Sequence, residues 1–344
     1  MTNDPLYGVA LTMLAGLMAG NCMLPMKFAR LWRWENVWLV FSVVSLVILP
    51  WALAIILVDH LLEVYLALQF RQLAIPLLLG GGWGVAQILF GISVKRLGMG
   101  VAYAIIVGLG AILGTLVPLL VQHHAALTGN AGYYIFGGVV IMIGGVFFTG
   151  WGGKVREQAS SLAAGTSNTH SRPAYPVAVL LAVICGLMAP MLNYSFAFGQ
   201  DIAKQAVQIG VPVLHAGYAV WPVALAGGFV PNVAYCLYLL SKNGTWKAFR
   251  SSGQDFGWSS LMAILWMGSM ALYGMSASYL GVFGTSVGWG LFQIFMIMTA
   301  TLSGVLTGEW KCAPRRAIGL LGVGISCLTA ATILLALGNI RSIP

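Results

Sequence analysis

Charge is what this sequence lacks. Of 344 residues only eight are Asp or Glu, and all charged types together make up 7%, against about 25% in soluble globular domains. So few charges cannot cover a water-facing surface, which excludes a soluble fold for most of the chain. Clustered cysteines are missing too. Cys22, Cys185, Cys236, Cys312 and Cys327 form no CxxC and do not group with histidine, which leaves a thiolate metal centre or a disulfide framework without support. His123-His124 stand without further ligands. No Walker motif, HExxH or pair of acids within an apolar run occurs, so an ATP-driven pump or a metalloenzyme has no residues to run on. No enzyme activity, cofactor or metal is therefore expected. Nor does a basic region precede the first apolar run. Only Asp4 is charged before it and the first cation is Lys27, after it, so the run reads as a span and not as a cleaved signal.

Apolar residues are what is there, 59% of the chain. They come in runs of roughly 20, the length a helix needs to cross a hydrocarbon core of about 30 Å. Ten such runs, numbered here as spans 1 to 10, lie at about 6–27, 37–58, 73–94, 98–121, 132–150, 176–199, 213–240, 259–281, 284–306 and 317–338. Backbone groups in lipid must be satisfied internally, so these are helices. The short alternating strands of a β-barrel are not seen. The expected class is an all-α membrane protein with ten transmembrane helices in contact with lipid.

The net charge of +9 does not point to nucleic acid, because the cations sit in short turns between spans. The turns after spans 1, 3, 5, 7 and 9 hold 14 of the 17 Lys and Arg, among them Lys27, Arg30, Arg33, Lys95, Arg96, Arg156, Lys242, Lys247 and Arg316. The other side has only Arg71, Lys204 and Arg341. Cations stay cytoplasmic during insertion, so both termini are expected to face outward.

One long polar stretch, 151–175, is rich in Ser, Thr, Gly and Asn and reads as a cytoplasmic linker. It divides the chain into 1–150 and 176–344, five spans each. An odd count per half inserts the halves in opposite senses, as two inverted five-helix repeats. Internal similarity agrees. Gly16-Leu17-Met18-Ala19 recurs as Gly186-Leu187-Met188-Ala189, and Phe90-Gly91-Ile92-Ser93 recurs as Tyr273-Gly274-Met275-Ser276, with Leu-Gly following at Leu97 and Leu280. Both pairs lie five spans apart.

Several short motifs occur in order: Pro25-x-Lys27, Trp34-Glu35-x-x-Trp38, Pro50-Trp51, Trp83-Gly84, Leu97-Gly98-Met99, Gly114-Thr115-Leu116, Cys185-Gly186, Gly227-Gly228-x-x-x-Asn232, Glu309-Trp310 and Arg315-Arg316. With them the chain resembles the bacterial L-rhamnose–proton symporter family of the drug/metabolite transporter superfamily, over nearly its whole length. The resemblance implies a ten-helix fold in the inner membrane, uptake of a deoxy-sugar and coupling to protons. It departs from the family pattern at the start of span 9, where Gly284-Thr285-Ser286-Val287-Gly288-Trp289 carries no acid. A drug/metabolite exporter, or a facilitator for another sugar or polyol, is the alternative.

A neutral sugar needs amides and hydroxyls for its hydroxyl groups and aromatic faces for its C–H faces. Trp83 and Gln87 share one face of span 3, and Trp289 and Gln293 share one of span 9, each pair within Trp-Gly-x-x-Gln. Asn21, Asn193 and Asn232 lie within spans 1, 6 and 7, and Tyr103 and Tyr273 add hydroxyls. Buried amides also tie helices together, so packing and substrate contact both remain open for each. Trp32, Trp34 and Trp310 read as interfacial belt residues. Glycines four apart, Gly16/Gly20, Gly80/Gly84, Gly110/Gly114 and Gly284/Gly288, read as close helix crossings. Pro190, Pro222 and Pro231 are expected to interrupt spans 6 and 7. For coupling or gating the candidates are Asp201 and His215 at the outer connection of spans 6 and 7, Glu309 beside its cations, and Lys27.

Overall fold

The computed structural model describes residues 5–97, 99–122, 130–163 and 175–341. Among them there is no strand, and ten helical segments are long and apolar enough to cross a membrane: Pro5–Phe28, Trp34–Leu57, Phe70–Val94, Ile105–Gln122, Asn130–Ser160, Pro176–Gln208, Val213–Asn243, Gly253–Leu280, Val287–Leu306 and Arg315–Arg341. These are spans 1 to 10, and the protein is a multi-pass membrane protein.

The boundaries that moved have local causes. The helix of span 5 continues to Ala163, so the first part of the polar stretch is helical. Its residues to Ala163 include no proline and favour helix well enough to extend one already nucleated. Span 6 breaks at Pro190, where one helix ends at Met188 and the next starts at Met191, and again at Gly199. Span 7 is not interrupted as expected. Pro222 falls in the first turn of the helix Val220–Asn243, where a missing N–H costs little, and Pro231 is carried inside it. An unexpected break lies in span 2. A π turn over Val44–Ile48 precedes Pro50 and absorbs the carbonyl clash that proline imposes.

Packing follows a regular scheme. Span 1 lies against spans 8 and 9, and span 6 against spans 3 and 4. Span 7 runs along span 3 and span 2 along span 8; span 2 meets span 7, and span 5 meets span 10. Exchanging every span with the one five places on maps this scheme onto itself. The glycine pairs make the crossings possible. A Cβ on Gly80 would fall 1.8 Å from the Ala224 carbonyl oxygen, and one on Gly227 would fall 1.9 Å from that of Leu77.

Four of the cation-rich turns meet at one end of the bundle. Lys27, after span 1, and Arg156, after span 5, both reach Glu309, after span 9. Buried Asp255, opening span 8, accepts the backbone N–H groups of Arg30, Leu31 and Trp32. Buried Glu35 accepts from Asn243 and Thr245 in the turn after span 7. Each of two turns thus supplies a carboxylate that holds the other. Trp32 is drawn into this joint and is buried against Phe249, so it is not an exposed belt residue. Trp34 stacks on Trp38.

Candidate functional site

The centre of the bundle is aromatic. Trp83 of span 3 and Trp266 of span 8 stack with ring centroids 5.4 Å apart and planes 20° apart. Gly228 makes room for Trp83, because a Cβ there would lie 2.8 Å from the indole ring. One helical turn on, Asn232 donates to the Gly228 carbonyl at 2.8 Å and to that of Gly84 at 3.4 Å, and accepts the Trp38 indole N–H at 3.0 Å. The Gly227-Gly228-x-x-x-Asn232 motif therefore seats one tryptophan and orients another. Together with Met23, Phe41, Leu46 and Gln87 these residues line a central cavity. The cavity measures about 10 Å³, room for about one water. Both N–H groups of the Asn232 amide are in use, whereas Gln87 makes no hydrogen bond to a described residue and offers a complete amide.

A second cluster lies toward the far end of span 8. Tyr273 is seven residues beyond Trp266, on the same helix face and about 10 Å further along the axis. Its hydroxyl donates to Asn193 Oδ1 at 2.6 Å, and Asn193 Nδ2 donates to the carbonyls of Gly114 at 2.9 Å and Thr285 at 2.8 Å. Trp289 lies against Gly114 and donates to the Gly110 carbonyl at 3.3 Å. Phe196 stacks on Trp221, with centroids 4.6 Å apart and planes 11° apart. Four spans are joined here by bonds that satisfy every donor of Asn193.

Beyond this layer opens a cleft of about 800 Å³, within the range of ligand cavities. Gln122, Phe196, Gln200, Lys204, Gly274 and Thr285 are on its walls. Span 8 starts at the Asp255 joint and ends beside Gly281, on the cleft wall, so the cleft opens at the end opposite the cation-rich turns. The cation-rich end carries an ion cluster. Glu309 hydrogen-bonds Lys27, and Arg156 Nη1 reaches its other oxygen at 3.1 Å. The Arg156 guanidinium also lies 4.9 Å over the Trp310 ring. The Lys27 ammonium holds the Glu309 carboxyl below the usual carboxylate range.

Of the residues singled out from sequence, Trp83, Gln87 and Asn232 meet in the central cavity, and Asn193, Tyr273 and Trp289 meet in the second cluster. Gln293 is buried but lines neither cavity. Asn21 ends the first helix and accepts from Ser303, a link between spans 1 and 9 at the cation-rich end. The side chain of Tyr103, and His123 and His124 entirely, lie outside the described residues. Asp201 pairs with its neighbour Lys204 on the cleft wall, while His215 lies against the Tyr218 ring; no contact joins the two. Lys27 and Glu309 do come together. Sequence reasoning missed Trp266, Trp38 as a cavity residue, and Phe196 with Trp221. A signal for Trp266 was present: it stands as far from Trp83 as Gly274 does from Gly91. No group of three or more His, Cys, Asp or Glu suited to a metal occurs among the described residues.

Ten membrane-spanning helices, a cleft open at one end and an aromatic centre are the make-up of a polytopic membrane carrier. Comparison with known proteins makes the class particular. The family model described as L-rhamnose-proton symport protein matches residues 1–341, and the chain belongs to that family. Relatives named L-rhamnose-proton symporter include one from Yersinia pestis, 24% identical, and one from Cronobacter sakazakii, 26% identical. Both alignments cover 98% of this chain and 99% of the relative.

Proposed function

We propose that this chain takes up L-rhamnose together with protons across the bacterial inner membrane, by alternating access of a central site built on Trp83, Trp266, Gln87 and Asn232. Both termini face the periplasm, and the two halves are inverted repeats related about the centre of the bundle. The names of the relatives support the sugar and its coupling ion. The excess of cations on one side supports the orientation. The exchange symmetry of span packing supports the repeat.

One observation carries the site: two tryptophans, one from each half, face each other at mid-span beside the Gln87 amide, which has no hydrogen-bond partner among the described residues. Sugar C–H faces pack on indole planes, and hydroxyls pair with amides. In this conformation the tryptophans occupy each other's faces, so admitting a sugar requires them to part. The Asn193–Tyr273 layer then acts as the outer barrier and the Lys27–Glu309–Arg156 cluster as the inner one. Asp201 and His215, both near the cleft, are the titratable groups placed to meet protons from outside. The relatives do not favour an exporter or a facilitator.

The test is uptake of labelled L-rhamnose by liposomes containing the purified protein. An inward proton gradient raises both rate and accumulation. If collapsing the gradient changes neither, coupling to protons is wrong; if no L-rhamnose enters under any gradient, the substrate is wrong.

A further inference from the structure

The joint between the turn after span 1 and the turn after span 7 is held by two acids, and both are spent inside the protein. Asp255 takes the backbone N–H groups of Arg30, Leu31 and Trp32, and Glu35 takes Asn243 and Thr245. Neither bonds a cation among the described residues, whereas Glu309 takes both Lys27 and Arg156. The cations of these two turns are therefore left over. Residues 28–36 and 242–256 carry Arg30, Arg33, Lys242, Lys247 and Arg250 against Glu35 and Asp255, a net charge of +3. All five are exposed, and none forms an ion pair with a described residue. Their neighbours bring them to one place. The Asn36 amide donates to the Thr245 carbonyl at 3.0 Å, and the Trp32 ring lies 5.2 Å from that of Phe249. An apolar strip starts at the same joint. Leu31 and Phe256 are exposed, and the Phe28 ring lies 5.1 Å from that of Trp258. Gly257, Leu261 and Ile264 continue it as one open face of span 8. A Cβ on Gly257 would meet nothing within 4 Å.

We propose that this joint binds an anionic phospholipid of the leaflet at the cation-rich end, with Arg30, Lys247 and Arg250 around the phosphate headgroup and an acyl chain along Leu261 and Ile264. The charge fits, because the two acids that could neutralise these cations give their oxygens to backbone and neutral side-chain donors instead. Topology alone requires cations in a turn; it does not require that the acids beside them be bonded elsewhere. Two guanidinium groups suit phosphate oxygens, which they can grip with paired N–H groups. Basic clusters just outside a membrane span attract anionic lipid in this way. A soluble anion would use the charged part alone. The apolar face running from the same joint along span 8 matches a molecule with a tail. The headgroup would bridge two turns, and so add to the bonds by which Asp255 and Glu35 already join them.

The full-length protein is reconstituted in nanodiscs of equal parts phosphatidylglycerol and phosphatidylcholine, and the lipid it retains on release is counted by native mass spectrometry. Wild type is expected to retain phosphatidylglycerol in preference. The triple variant Arg30→Gln, Lys247→Gln, Arg250→Gln is expected to lose that preference about tenfold or more. Lys311→Gln with Arg315→Gln removes charge at the same end but away from the joint, and leaves the preference as it was. Salt at about 0.5 M weakens the preference of wild type and not that of the triple variant. Retention by the triple variant equal to wild type overturns the proposal. An equal loss in the Lys311/Arg315 variant does so too, because the charge of that end and not the joint then draws the lipid. Inorganic phosphate that displaces the retained lipid at millimolar concentration assigns the joint to a free anion and also overturns it. Should the triple variant not fold, the wild-type contact is read by fluorescence. The emission that Trp258→Phe removes is quenched more by phosphatidylglycerol brominated on its acyl chains than by brominated phosphatidylcholine, and equal quenching overturns the site.

Discussion

Trp83 and Trp266 face each other across the centre of the bundle, 5.4 Å apart, and they are separated by 183 residues, the interval that also separates Gly91 from Gly274. Positions made equivalent by internal similarity are thus in contact in space. The inverted repeat proposed above would place a two-fold axis at this contact. The substrate would enter where the halves meet, because only there does a small relative tilt expose one side and then the other.

Removing either central contact should abolish binding without unfolding the chain. Trp83→Ala and Gln87→Ala are each expected to lose L-rhamnose binding while the purified protein stays monodisperse in detergent. Unchanged affinity in both variants would move the site away from this cavity.

Asn193 should matter to stability more than to affinity. Its replacement by Ala leaves the Tyr273 hydroxyl and the carbonyls of Gly114 and Thr285 without their bonds. At the average of about 0.6 kcal/mol for interhelical bonds in a membrane, the loss is roughly 2 kcal/mol. A lowered midpoint of thermal unfolding checks this, and an unchanged midpoint contradicts it.

The glycine crossings admit a matched pair of tests. Gly80→Ala puts a methyl group 1.8 Å from the Ala224 oxygen, so spans 3 and 7 must separate and folded yield should collapse. Gly91→Ala, at the second residue of Phe90-Gly91-Ile92-Ser93, meets nothing within 4 Å. It should be neutral or gain up to about 1 kcal/mol from helix propensity. Equal behaviour of the two variants would refute the packing account.

Glu309 gives the pH prediction. Its carboxyl is held below the usual carboxylate range, chiefly by the Lys27 hydrogen bond. A depressed carboxyl contributes stability above its unfolded pKa and loses it as pH falls through the folded value. The ion cluster should therefore hold constant from pH 5.5 to 8, in the sense of about one unit or more above the ordinary carboxylate range, and loosen only in stronger acid. A cysteine introduced at Ser303, with Cys312 replaced by Ser, should label slowly across that window and rapidly at every pH once Glu309→Gln is added. A labelling rate that rises steadily from pH 8 to 5.5 would assign the gate to a histidine instead.

Topology can be read directly. Reporter fusions at Ser160 and Pro344 should fall on opposite faces of the membrane, with 160 inside. Activity on the same face would remove the inverted repeat.

How much of this was legible in advance follows from what each residue type encodes. The distribution of apolar residues fixed ten helices, because lipid leaves a backbone no other way to satisfy itself. The alternation of Lys and Arg gave the ends that share a side, and the structure brings four of those turns together. Gly80 and Gly84 were readable as a crossing, since only glycine permits that approach. Trp83, Gln87 and Asn232 could be named because polar and aromatic groups at mid-span are rare enough to stand out. What each of those residues touches was not legible. Asn193 and Gln87 look alike in sequence, yet one is saturated by three backbone and hydroxyl partners and the other lines the central cavity with no hydrogen bond to a described residue. The buried acids Glu35 and Asp255 read as loop charges, because their partners are backbone and side-chain donors over 200 residues away. The partners of a side chain in a bundle are set by how helices rotate and cross, and that depends on every interface at once. Sequence by itself determined the medium, the number of helices and which ends lie together. Only the tertiary structure decided which polar groups are spent on holding helices and which remain to meet a substrate.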